Sequence, residues 1–79
     1  MNISIKAIRF DKYNMWVALN DARTIGIPLR SFPKLMQADH EQLSKFEISY
    51  IGIHWDVLTE DISMNELLFI NSNTKNISR

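Results

Sequence analysis

The sequence predicts a small α+β domain: a three-stranded antiparallel meander, a helical segment, a fourth strand and a short C-terminal helix. Three observations carry that expectation. Apolar residues alternate with period two from Ile3 to Leu29, helix-start chemistry recurs at Ser31, Asp39 and Ser63, and alternation resumes after Phe46.

The first strands take their inward faces from Ile3, Ile5 and Ala7, from Tyr13, Met15, Val17 and Leu19, and from Ile25, Ile27 and Leu29. Asp11-Lys12 and Asn20-Asp21 separate them at tight-hairpin length, and Asn and Asp tolerate the left-handed backbone such turns need. Trp16 and Ala18 fall on the opposite face from Met15 and Val17, which makes the sheet's outer side partly apolar. Pro28 ends the third strand because proline removes a ladder donor.

A helix is expected from an N-cap at Ser31 with Pro33 in its first turn, where the missing N–H costs little. Asp39 and Gln42 have capping-box spacing, and Leu43 and Phe46 share the following face. The fourth strand is expected across Glu47–Ile53, with Gly52 marking a bend or a close backbone approach. Ser63 and Glu66 form a second capping box, and Ile62 and Leu67 stand at the two positions of a hydrophobic staple. The final helix therefore starts at Met64. One domain is expected over residues 1–70, and residues 71–79, with nothing to bury, read as a disordered tail.

Seventy-nine residues fit one domain, and a chain of this size buries only roughly 60% of its unfolded surface. With 46% hydrophobic residues it can fold without staples, and without cysteine it has neither a disulfide nor a thiolate metal site. A reducing, cytoplasmic location is expected, since the first residues lack a signal-peptide pattern and no stretch is long and apolar enough to span a bilayer. The zero net charge hides a division. Residues 1–36 carry six cations against two carboxylates, and residues 37–70 carry seven carboxylates against Lys45. Two oppositely charged faces result unless folding interleaves the halves.

The stretch Gly52-Ile53-His54-Trp55-Asp56-Val57-Leu58-Thr59-Glu60-Asp61 gathers the side chains most able to carry a site. His54, Asp56, Glu60 and Asp61 are permissible metal ligands, but no thiol and no pair of helically spaced histidines accompanies them, so no metal and no cofactor is expected. Paired-carboxylate hydrolysis would need one acid held protonated, and adjacent Glu60 and Asp61 in a polar segment offer no reason for that. Ser49 or Ser63 as nucleophile lacks a glycine-framed elbow. Structural roles suit each residue: Trp55 burying its rings at a sheet edge, His54 on the opposite face in a hydrogen bond, and Glu60 and Asp61 before the positive end of the final helix.

Four blocks also carry a resemblance. Phe10-Asp11, Arg23-Thr24-Ile25-Gly26-Ile27-Pro28-Leu29, Phe32-Pro33-Lys34-Leu35, and Gly52-Ile53-His54-Trp55 with Glu60-Asp61-Ile62-Ser63 resemble, in this order, the small bacterial domain-of-unknown-function 2442 family. The resemblance runs from Ile3 to Leu68. The chain departs from the family pattern at Ala22, where a turn glycine is usual, at Asp56, where proline often follows the tryptophan, and at Thr59, where aspartate is frequent. The resemblance implies a small α+β fold and an antitoxin-like role beside a small toxin. Some relatives carry a fused helix-turn-helix domain, for which this chain has no room.

The resulting expectation is a non-catalytic protein-binding module, antitoxin-like, with a small basic toxin as partner and Trp16, His54, Trp55, Asp56, Glu60 and Asp61 as its binding residues. The rivals are a nucleic-acid-binding regulator using Lys6, Arg9, Lys12, Arg23, Arg30 and Lys34, and a small enzyme centred on His54 and Asp61. Open sheet edges also leave homodimerisation available.

Overall fold

Pairing of the N-terminal strands begins with an irregularity that the alternation does not reveal. In the computed structural model, which describes residues 3–77 and side chains as far as Ile70, β1 (Ile5–Phe10) pairs antiparallel with β2 (Asn14–Leu19). The register shifts between Ile5 and Ala7, a bulge that leaves Lys6 without a partner. Beyond it the faces exchange. Ile5, Ile8 and Phe10 join the core, while Ala7, expected inward, is exposed.

The strand β3 (Thr24–Pro28) completes the meander, with Met15 opposite Ile27 and Val17 opposite Ile25. The first turn is built on Asp11. Its carboxylate accepts from the N–H groups of Tyr13 and Asn14 at 2.9 and 2.8 Å and from the Trp16 indole at 2.8 Å. The second turn closes with Leu19 N–H donating to the Arg23 carbonyl at 2.8 Å, and it places Ala22 in the left-handed region at φ 74°.

After Pro28 the chain takes a single 3-10 turn (Leu29–Ser31) and then α1 (Pro33–Gln37). The N-cap is Phe32 rather than Ser31, because the 3-10 turn already occupies Ser31, and Pro33 stands at the start of the helix as expected. Helix α2 (His40–Leu43) begins at Asp39 with both reciprocal bonds of its capping box formed to Gln42.

The C-terminal part contains a second three-stranded sheet where a single strand was expected. The segment Glu47–Ile53 folds back on itself as β4 (Phe46–Ile48) and β5 (Gly52–Trp55), around a tight turn at Tyr50-Ile51. Ser49 and Gly52 exchange backbone hydrogen bonds across that turn at 2.9 and 3.2 Å. A sixth strand, β6 (Glu60–Ser63), pairs antiparallel with β5. Gly52 sits at φ 155°, and a Cβ there would lie 2.1 Å from the Ile62 carbonyl oxygen, so the β5–β6 approach depends on glycine.

Helix α3 (Met64–Ile77) follows directly, capped by the Ser63 and Glu66 pair through bonds of 3.1 and 3.2 Å. Its backbone continues beyond Ile70, since no proline or glycine stands there to stop it. The side chains of 71–79 lie outside the described residues, and with them the expectation of a disordered tail. Both sheets turn their inner faces to one core of Met15, Val17, Leu19, Ile25 and Ile27 from the first, and Ile53, Trp55 and Ile62 from the second. Leu35, Leu43 and Leu67 close it from the helices. No helix among the described residues is long and apolar enough to cross a membrane.

Candidate functional site on the second sheet

Strand alternation decides which members of the histidine-tryptophan segment face solvent. Trp55 points inward, is wholly buried, and donates its indole N–H to the Leu43 carbonyl at 3.0 Å. It also meets Phe46 edge-on, 6.5 Å between ring centroids. As a binding anchor Trp55 is therefore corrected to a core residue, since no partner can reach a ring with no exposed surface.

His54, one residue earlier, faces out. Register places it between Glu47 on β4 and Asp61 on β6, a three-residue row across the outer face. Both imidazole nitrogens meet carboxylates: Nδ1 meets Asp61 Oδ1, and Nε2 lies 2.5 Å from Asp56 Oδ1. A carboxylate only accepts, so both ring N–H groups donate, and the doubly protonated ring is the form that fits. The hydrogen bond to Asp56 and then that to Asp61 raise the His54 pKa above its ordinary 6.5, against desolvation acting the other way.

Glu60 and Asp61, adjacent in sequence, separate in space. Asp61 belongs to the outer row, whereas Glu60 pairs across from Trp55 on the inward side and is half-buried. Glu60 thus leaves the outer cluster, and Glu47 enters it. Between Phe46 and Ser63 there are four carboxylates and no Lys or Arg. The two halves nonetheless meet at the β5–β6 turn, where the Lys34 ammonium donates to the Thr59 carbonyl at 3.1 Å.

The apolar contacts available to a partner here come from residues the sequence reading did not single out. Tyr50 is 86% exposed and Ile51 62% exposed at the tip of the β4–β5 turn. Beside them a shallow groove of about 230 Å³ runs along Gly52 to His54 and Asp61. Alternation had assigned Tyr50 and Ile51 to a continuous strand, which hid them. The usable signal was a large aromatic just before Gly52.

Trp16 occupies a different surface. It lies on the outer face of the first sheet against Gly26, where a Cβ would come within 2.5 Å of its ring. The Arg9 guanidinium stands 5.7 Å from the ring centroid. The structure does not bring Trp16 together with His54, Asp56 and Asp61.

The hydroxyls considered as nucleophiles have local duties. Ser63 Oγ accepts from Glu66 N–H at 3.1 Å, and Ser49 Oγ accepts from Ile51 N–H at 3.2 Å. Among the described residues no three His, Cys, Asp or Glu side chains are grouped to hold a metal ion. The arrangement holds a proton on a surface imidazole and presents negative charge around it.

No curated protein matches the sequence. A solution NMR structure of an uncharacterized protein from Chromobacterium violaceum is similar, with a TM-score of 0.71 and 22% sequence identity over 86% of this chain and 66% of that one. That likeness concerns fold, and the chain spans just under two thirds of that protein's length. Residues 5–71 match the family described as "Protein of unknown function (DUF2442)". With both sheets and the start of α3 inside that match, the chain belongs to the DUF2442 family.

Proposed function

We propose that this protein is a non-catalytic binding module, the antitoxin-like half of a bacterial two-protein system, which takes a small basic protein on the outer face of its second sheet in the cytoplasm. The observation that carries this reading is the row Glu47, His54 and Asp61 with Asp56 beside it, on a sheet without Lys or Arg and next to exposed Tyr50 and Ile51. Carboxylates steer and orient a cationic partner, and an exposed tyrosine and isoleucine supply the apolar contact that holds it. A catalytic reading is less well supported, because both nitrogens of His54 are engaged by carboxylates and neither is free to accept a proton.

The test is co-purification with the product of the adjacent gene. A complex is expected that weakens as salt rises and is lost in a Glu47→Lys, Asp61→Lys double variant that still folds. A folded partner that fails to bind at micromolar concentration removes the proposal.

A second reading, as a nucleic-acid-binding regulator, draws on Arg9 against Trp16 with exposed Lys6 and Arg23 on the first sheet. Asp21 already pairs with Arg23 at 2.8 Å and Asp11 holds the indole, which weakens it. Its mark would be an affinity for DNA or RNA that falls steeply with salt.

A further inference from the structure

The outer edges of the two sheets are unequally protected. β1 is broken by the bulge at Lys6, and β3 ends in Pro28 and lies against α3. β6 runs straight into α3, with its Ser63 N–H taken by Glu66 Oε1 at 3.2 Å. β4, at the remaining edge of the second sheet, carries neither bulge nor proline, and its Glu47 and Ile48 are exposed.

Register shows which backbone groups β4 leaves open. Ser49 and Gly52 exchange both of their backbone bonds at the turn, and bonded and non-bonded pairs alternate from there along an antiparallel hairpin. Glu47 therefore bonds to His54, while Ile48 and Phe46 turn their N–H and C=O groups away from β5. Those groups meet no backbone partner among the described residues.

The side chains tell the same story. Ile48 lies on the core side opposite Ile53, yet Ile53 is 2% exposed and Ile48 40%. The core stops one strand short of covering it. On the other face Glu47 begins the row that continues through His54 to Asp61. A strand laid beside β4 would set one side chain against Ile48, where an apolar residue fits, and the next beside Glu47, where a cation does. A second copy suits the edge poorly. Antiparallel pairing of β4 with itself joins Ile48 of one copy to Phe46 of the other and sets Glu47 directly opposite Glu47, a like-charge contact.

We propose that β4 is an acceptor edge, to which the basic partner lends an extended segment of alternating apolar and cationic residues that pairs antiparallel with Phe46–Ile48. This rests on the binding role proposed above and adds how the partner is held. Main-chain bonds to Phe46 and Ile48 supply the grip, and Glu47 and Ile48 select the sequence. The antiparallel direction follows the rest of the sheet and is the more stable pairing per residue.

The probe is a short blocked peptide of alternating lysine and valine, titrated into the labelled full chain and followed by NMR. Amide exchange at Phe46 and Ile48 should slow by about tenfold or more, while Glu47, already bonded to β5, changes little. A glutamate-valine peptide should not bind. In the antiparallel pairing the valines opposite Phe46 and Ile48 give their N–H groups to β4, so N-methylated valines should abolish binding and N-methylated lysines should not. Peptide shifts at His54 and Asp61 with Phe46 and Ile48 still exchanging freely, or binding indifferent to the place of methylation, overturn strand addition and leave the binding role standing. A lysine-valine peptide that does not bind overturns it as well, with the adjacent gene product still testing the role itself. Protection of Phe46 and Ile48 that rises with the concentration of the chain alone would assign the edge to a second copy and overturn the proposal.

Discussion

Replacing Ala22 by glycine should stabilise the protein. Ala22 is the last residue of the Asn20-Asp21-Ala22 hairpin loop, at φ 74°, with its N–H on the Leu19 carbonyl at 3.3 Å and the loop closed by Leu19 and Arg23. A three-residue hairpin loop ends in a left-handed residue, and that conformation costs an L-residue about 1–2 kcal/mol that glycine avoids. Glycine gives back about 0.4–1 kcal/mol through its freer unfolded chain. The Ala22 methyl is exposed, so no packing is lost. The balance favours glycine by about 0.5–1 kcal/mol, or about 2–8 °C in Tm for a domain of this size. Thermal and urea unfolding of the wild type and Ala22→Gly would measure it, with an unchanged urea slope showing that stability alone has moved. Ala22→Val should move the other way, because a branched side chain tolerates positive φ least. A neutral or destabilising Ala22→Gly would refute the account of this turn.

Further expectations concern the second sheet and its surroundings. Gly52→Ala should destabilise by about 3 kcal/mol or more, since its Cβ would meet the Ile62 carbonyl oxygen and force β5 from β6; urea unfolding reads it. Gly26→Ala should cost much less, about 1 kcal/mol, because the obstacle is the Trp16 ring, which can lift away; a shift in tryptophan fluorescence should accompany it. Trp55→Phe should cost about 2 kcal/mol or more by leaving the buried Leu43 carbonyl without its donor, as calorimetry would show. His54 should titrate above its ordinary 6.5 by NMR, and Asp56→Asn or Asp61→Asn should lower that value. Because the folded pKa is the raised one, the His54 contribution to stability is complete below about 6.5 and is lost as pH rises through the folded value.

Local chemistry was the most legible part of the sequence. The capping boxes at Asp39 with Gln42 and at Ser63 with Glu66 formed as read, because each involves side chains three positions apart and the backbone between them. The first three strands were legible from alternation, yet the bulge after Ile5 was not. A bulge there is a backbone event with no proline or glycine to announce it, and it turned Ala7 outward and Ile8 inward. The β4–β5 turn was hidden because apolar Tyr50 and Ile51 occupy positions where turn residues are usually polar, so seven residues read as one strand. Strand β6 was hidden by Glu60-Asp61, which look like helix-start acids until His54 is placed opposite Asp61.

The same logic governs the site. Alternation sufficed to put His54 and Trp55 on opposite faces, and Trp55 proved to be buried. Which carboxylates surround His54 could not be read locally: Asp56 is two residues away, but Asp61 arrives by strand pairing. Glu47 lies across His54 only because the expected single strand is a hairpin. The left-handed backbone at Ala22 and Thr59 gives physical content to two departures from the family pattern, since glycine and aspartate suit that region better.

NMR shift mapping of the labelled chain, titrated with the protein encoded beside it, tests the binding role of the second sheet most directly. Shifts are expected to concentrate at Glu47, Tyr50, Ile51, His54 and Asp61, with Arg9, Trp16 and Thr24 on the first sheet unmoved. Saturable binding that instead perturbs the Arg9 and Trp16 face, leaving His54 unchanged, would contradict it.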